Sequence, residues 1–72
     1  MREITVHITQ DEDFYISHCL DYDIASQGRT REEAKANIIE AVTLFLEAAS
    51  PDEIEDRLNR RGSIERLRVD SV

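Results

Sequence analysis

The stretch Cys19-Leu20-Asp21-Tyr22-Asp23-Ile24-Ala25-Ser26-Gln27-Gly28-Arg29-Thr30-Arg31-Glu32-Glu33-Ala34 joins an apolar strand to a capped helix through one glycine. Ile24 to Gln27 reads as a short extended segment, and Gly28 supplies a turn geometry that other residues adopt at a cost. Thr30 starts a helix as its N-cap. Glu33 completes a capping box, its carboxylate reaching back to the Thr30 amide while the Thr30 hydroxyl accepts from the Glu33 amide.

Upstream, apolar and polar residues alternate strictly from Arg2 to Thr9, with Ile4, Val6 and Ile8 on one side and Glu3, Thr5, His7 and Thr9 on the other. A polar run, Gln10 to Asp13, separates this strand from a second, Phe14 to Leu20, rich in aromatic and β-branched residues. The two pair as a hairpin. An even loop sets Ile8 opposite Tyr15, Val6 opposite Ser17 and Ile4 opposite Cys19, because cross-strand partners share a face. A helix then lies over these slim residues. Phe14, Ile16 and His18 stand beside Thr5, His7 and Thr9 on the opposite face, too apolar for water alone, and another chain is expected there. A bulge or an odd loop exchanges the two faces.

Downstream, Arg31 to Ala49 reads as a helix of about five turns, with Ala34, Ile38, Ala41, Val42, Phe45, Ala48 and Ala49 as its buried stripe. Ile39, Leu44 and Leu46 widen the apolar arc toward a second helix or a partner. Ser50-Pro51-Asp52-Glu53 starts a second, short helix that carries Ile54 and Leu58 inward and stops near Arg61. Gly62 is placed to take the left-handed cap. Ser63 to Ser71 reads as a closing strand bearing Leu67 and Val69. The expected fold is α+β in the order β-β-β-α-(short α)-β, one helix layer on a three- or four-stranded, mainly antiparallel sheet.

With 72 residues the chain is one domain, spanning 1–72 with no linker or repeat. A core of this size rarely supplies more than about 3–5 kcal/mol. Its single cysteine, Cys19, allows no internal disulfide, so self-association is the expected staple. No signal-peptide or membrane-spanning stretch is present, which places the protein in the cytoplasm with no membrane partner. Sixteen acids against nine bases give a net charge of −7. Residues 1–56 hold fourteen acids and four bases, a net of −10, and residues 57–72 hold five arginines and two acids, a net of +3. Such a balance argues against direct DNA binding over a broad surface and suits a basic protein partner, or simply keeps a small domain soluble.

Chemistry-bearing motifs are sparse. Asp11, Asp13, Asp21 and Asp23 could gather round a hard cation, but turns favour aspartate for its own backbone hydrogen bonds. His7 and His18 share a face and approach each other across the hairpin, as a weak metal pair, a pH-sensitive contact or interface histidines. Cys19 lacks a neighbouring base at any recognised catalytic spacing and reads as a small core residue. No glycine-rich phosphate loop exists and no cofactor is implied. Arg57, Arg60, Arg61, Arg66 and Arg68 form the one basic group, read as the solvated face of the last helix and strand or as a nucleic-acid contact.

Taken together, Tyr15 to Cys19, Asp23 to Gly28, Thr30-x-x-Glu33-Ala34, then Asn37, Glu40, Ala41 and Leu44 to Glu47 resemble the HicB-like antitoxins and their small relatives. The resemblance covers about half the chain directly. It implies a partial ribonuclease-H-like or ferredoxin-like domain, not itself an enzyme, that binds and blocks HicA, a small basic ribonuclease cutting messenger RNA, and that assembles as a dimer or tetramer. Two departures stand out: no second, DNA-binding domain follows within this sequence, and Leu20 stands where the family often has proline. On this reading Asp21, Tyr22 and Asp23 contact the toxin, and Phe14, Ile16 and His18, or Val69 on the closing strand, form the oligomer interface. The alternatives are a small nucleic-acid-binding regulator using the basic C-terminal end, and, last, a metal-dependent nuclease remnant using the aspartates.

Overall fold

The computed structural model describes residues 2–60, 62–63 and 65–70. Three strands, β1 (Val6–Asp11), β2 (Phe14–Cys19) and β3 (Ile24–Gly28), form an antiparallel meander in the order β1-β2-β3. Two helices follow, α1 (Arg31–Ala48) and α2 (Pro51–Arg60). The chain is α+β, with helices packed on one three-stranded sheet.

The register places Val6, Cys19 and Ile24 in one row and Ile8, Ser17 and Ser26 in the next. The expected facing is therefore kept, while the expected partners slide by two residues: Ile8 meets Ser17, not Tyr15. A two-residue turn at Glu12-Asp13, tighter than the polar run suggests, causes the slide, and Glu12 takes a left-handed φ of 56° to close it.

Helix α1 covers β3 and β2 through the smallest side chains on that face. Ala34 and Ser17 are fully buried, and the Ser17 hydroxyl donates to the Ala34 carbonyl at 3.0 Å. A Cβ on Gly28 would stand 2.5 Å from the Ala34 nitrogen and 2.8 Å from the Glu33 carbonyl carbon. Gly28 is thus required for lack of space and not for turn geometry, since Gly62 is the glycine with positive φ among the described residues. Beyond this contact the core gathers Cys19, Tyr22, Ile38 and Val42, with Ile4, Val6, Ile24, Phe45, Leu46, Ile54 and Leu58 packed round it. Leu46 belongs to that core, whereas Ile39 and Leu44 remain exposed.

Both helices start as their caps dictate. The Thr30 hydroxyl accepts from the Glu33 amide at 3.0 Å, but the Glu33 carboxylate reaches past Thr30 to the Arg29 amide at 3.3 Å. Ser50 accepts from the Glu53 amide at 3.2 Å. α1 closes one residue earlier than expected, the Ala49 amide donating to the Phe45 carbonyl at 2.8 Å.

The closing strand expected over Ser63 to Ser71 is not formed: the described residues there belong to no sheet, with Leu67 and Val69 each 82% exposed. Alternation specifies a ribbon able to pair, but pairing needs an edge within reach. The chain leaves α2 through Gly62, at φ 69°, without meeting one. Arg61, Ile64 and Ser71 lie outside the described residues. The consequence is a chain with excess surface: 6080 Å² against about 4,600 Å² for a folded monomer of 8.3 kDa.

Replacing Gly28 by alanine forces the first turn of α1 off the sheet. We expect Gly28→Ala to lower the unfolding free energy by about 1–3 kcal/mol in a urea titration. Gly62→Ala, in open space, tests backbone strain alone.

Candidate functional site

The turn joining β2 to β3, Leu20 to Asp23, concentrates the polar interactions of the molecule. Asp21 is half-buried: its Oδ2 accepts from the Thr5 amide at 2.7 Å, continuing the β1–β2 ladder beyond the Leu20 to Thr5 backbone bond. Tyr22, only 5% exposed, packs against Phe45 with ring centroids 5.8 Å apart. Its hydroxyl accepts from Arg2 at 3.2 Å. Asp23 takes a left-handed φ of 56°, which aspartate tolerates better than most residues. Its carboxylate is exposed.

Arg57 locks this turn from α2. Its Nη1 donates to the carbonyls of Tyr22 at 2.9 Å and Asp23 at 3.2 Å, and its guanidinium lies 5.2 Å from the centre of the Phe45 ring. The sequence alone suggests a solvated face or a nucleic-acid contact for this arginine. A guanidinium one helical turn before the end of a short helix carries no pattern distinguishing it from a surface cation, so only the fold reveals the anchor. Arg60 is paired with Asp56 at 3.2 Å. Two members of the basic group are thus engaged within α2 and the turn, and Arg66 and Arg68 remain exposed on the C-terminal segment.

Of the three residues assigned to a partner contact, Asp21 and Tyr22 therefore have internal duties and Asp23 is presented. Asp23 Oδ1 lies 2.7 Å from His18 Nε2, with three quarters of its side chain exposed. The His18 hydrogen bond holds the Asp23 carboxyl below the usual 3.8; partial desolvation opposes this, and the charges of His18, Arg57 and Arg60 reinforce it. His18 also stands directly opposite His7 in the β1–β2 register. Thr9, Ile16 and Gln27 form the next row, and Phe14 closes the face opposite Asp11. This face carries no helix. Phe14 is 39% exposed at its end, with the Arg29 guanidinium 6.0 Å from the ring centre.

The site has the makings of a contact surface. Cys19, the last residue of β2, is fully buried in the core under α1, its Sγ 4.0 Å from Asp21 Oδ2. Among the described residues no three His, Cys, Asp or Glu side chains are arranged to hold a metal ion, and no helix is long and apolar enough to cross a membrane. What the surface offers is a fixed carboxylate–imidazole pair on the rim of a partly apolar sheet face, held from below by Arg57 and Asp21.

Because the folded state lowers the Asp23 pKa, the unfolded chain takes up the proton first as pH falls. The stabilisation from Asp23 is present above about pH 4 and is lost as pH falls through its lowered value. NMR titration of the side-chain carboxyl is expected to show Asp23 titrating below 3.8, and His18→Phe to move it back up. A stability difference between the protein and Asp23→Asn at pH 6 that persists undiminished at pH 2 would contradict the pairing.

No protein-family model, no characterised protein and no solved structure matches this chain.

Proposed function

We propose that this protein is an antitoxin-like, non-catalytic binding protein of the cytoplasm that neutralises a HicA-type, mRNA-cleaving ribonuclease. The observation carrying the reading is the charge of the body: fourteen acids against four bases over residues 1–56. Glu32, Glu40 and Glu47 on α1 and Asp52, Glu55 and Asp56 on α2 are exposed. A basic ribonuclease meets such a surface rapidly, and the surface that holds RNA phosphates is the one an acidic protein covers. Blocking needs no reacting group on the inhibitor. It needs a rigid one, which the Arg57-anchored turn supplies at Asp23.

The uncovered face of Phe14, Ile16 and His18 suits a second copy of the chain. An isologous contact sets each Phe14 against the partner's sheet and turns both His18–Asp23 pairs to the rim. The excess of accessible surface over that of a finished monomer is consistent with a dimer or tetramer.

The test is inhibition. Titrating the protein into a purified HicA-type ribonuclease with a fluorescent RNA substrate should abolish cleavage at stoichiometric ratio. The association rate should fall by about tenfold or more from low to high salt. Asp23→Asn, which removes charge but keeps a residue tolerant of the left-handed φ, should slow association most at low salt. Undiminished cleavage at a several-fold excess of folded protein would sink the proposal, and a salt-dependent shift of free RNA by this chain alone would favour the nucleic-acid-binding regulator.

A further inference from the structure

The helix layer is set off-centre. α1 lies over β3 and β2, and between its C-terminal half and residues 2–4, just before β1, it leaves an open groove of about 470 Å³. The groove is floored by Ile4 and walled by Ile39, Val42 and Leu46, with Arg2 and Glu47 at its rim. Ile39 is 59% exposed because of it. β1 is also the sheet's first edge. The Leu20 amide bonds to the Thr5 carbonyl, so odd-numbered residues of β1 face β2. By the antiparallel alternation, Val6, Ile8 and Gln10 direct their peptide groups outward, unpaired by any described strand.

An occupant of matching pattern exists in the same molecule. Residues 65–70, Glu-Arg-Leu-Arg-Val-Asp, alternate as a half-buried strand does, yet Leu67 and Val69 are each 82% exposed. The segment follows Gly62, which has φ 69° and open space where a side chain would stand. Within its own chain it runs clear of the sheet. The radius of gyration, 14.4 Å, exceeds the roughly 11 Å of a compact domain of this length.

We infer that this segment docks in the groove between α1 and the residues leading into β1 of a second copy of the chain, and that each copy receives the other's segment in return. Leu67 and Val69 enter the groove over Ile4, Ile39 and Leu46, and the segment's backbone pairs with the outward peptide groups of β1. Arg66 and Arg68 stand on the other side of the ribbon, over an acidic body. The sizes agree. Six extended residues expose on the order of 1,000 Å². Docking each segment removes about half of that together with a similar area from the groove, so two reciprocal dockings bury about 2,000 Å², the range of a specific dimer. Reciprocal exchange of like elements closes with two-fold symmetry and leaves no edge strand exposed at β1. The inference does not rest on the toxin, nor on the Phe14 face, which stays free for a second contact and would turn exchanged dimers into a tetramer.

The experiment uses the full chain and two variants that leave the core intact. Leu67→Glu/Val69→Glu spoils the segment, and Ile39→Glu spoils the groove at a position already exposed. Circular dichroism checks that each is folded, and sedimentation velocity reads the mass. The unaltered chain is expected to be a dimer or larger, and each variant to dissociate about a hundredfold more readily. Mixing the two variants should restore part of the association, since one sound segment then meets one sound groove. Phe14→Glu should leave this dimer standing. A monomeric unaltered chain, a dimer indifferent to the segment variant, or variants that do not complement each other would each overturn the exchange; loss of the dimer in Phe14→Glu alone would place self-association on the other face.

Discussion

Everything in this fold depends on how closely the first turn of α1 approaches the sheet. Gly28 has no Cβ because the Ala34 nitrogen would lie 2.5 Å from it, and the buried Ser17 hydroxyl bonds the Ala34 carbonyl across the same contact. Asn37 adds a second tie, its Nδ2 donating to the Gln27 carbonyl at 2.7 Å. Backbone lies on backbone there, and the side chains that pack round it, Ile38 and Val42, are set in position by that approach. The offset that results brings α1 over β3 and leaves β1 half covered. A shallow core on one side and a groove on the other are two faces of the same constraint.

The Leu20–Asp23 turn is the second fixed point, and it is built from three directions. β1 contributes the Thr5 amide to Asp21, α2 contributes Arg57 to two carbonyls, and β2 contributes His18 to Asp23. Carbonyls that would otherwise need water are held by a charged donor, an interaction stronger than a neutral hydrogen bond. Rigidity at this place follows from bonding rather than from bulk, and Asp23 is the carboxylate it sets at the surface.

Much of this was legible in the sequence. Alternation in the first three strands and the Thr30 and Ser50 caps are local signals that the fold honours, and of the stripe expected on α1 Ala34, Ile38 and Val42 are buried while Ala48, on the last turn, is exposed. Gly28 was legible as a special position, but a sequence does not distinguish a glycine needed for its φ from one needed for its missing methyl group. Asp21, Tyr22 and Asp23 stood out as a group, yet their division of labour depends on Thr5, Phe45 and Arg57, up to thirty-five residues away. Arg57 likewise carries no sequence mark of its role, because the carbonyls it binds lie more than thirty residues away. The last segment has the alternation of a strand but meets no edge within its own chain, because pairing is decided by where the chain arrives and not by what it is made of.

The meander order of the sheet has a kinetic consequence. Each strand pairs with its neighbour in sequence, across a two-residue turn at Glu12-Asp13 and a four-residue one at Leu20 to Asp23. Closing such short loops costs little chain entropy, and topologies dominated by near-neighbour pairings are the quick folders among small domains. The three-stranded meander is therefore the part of the fold expected to form first, and α2 brings Arg57 to the Leu20–Asp23 turn across a much longer loop.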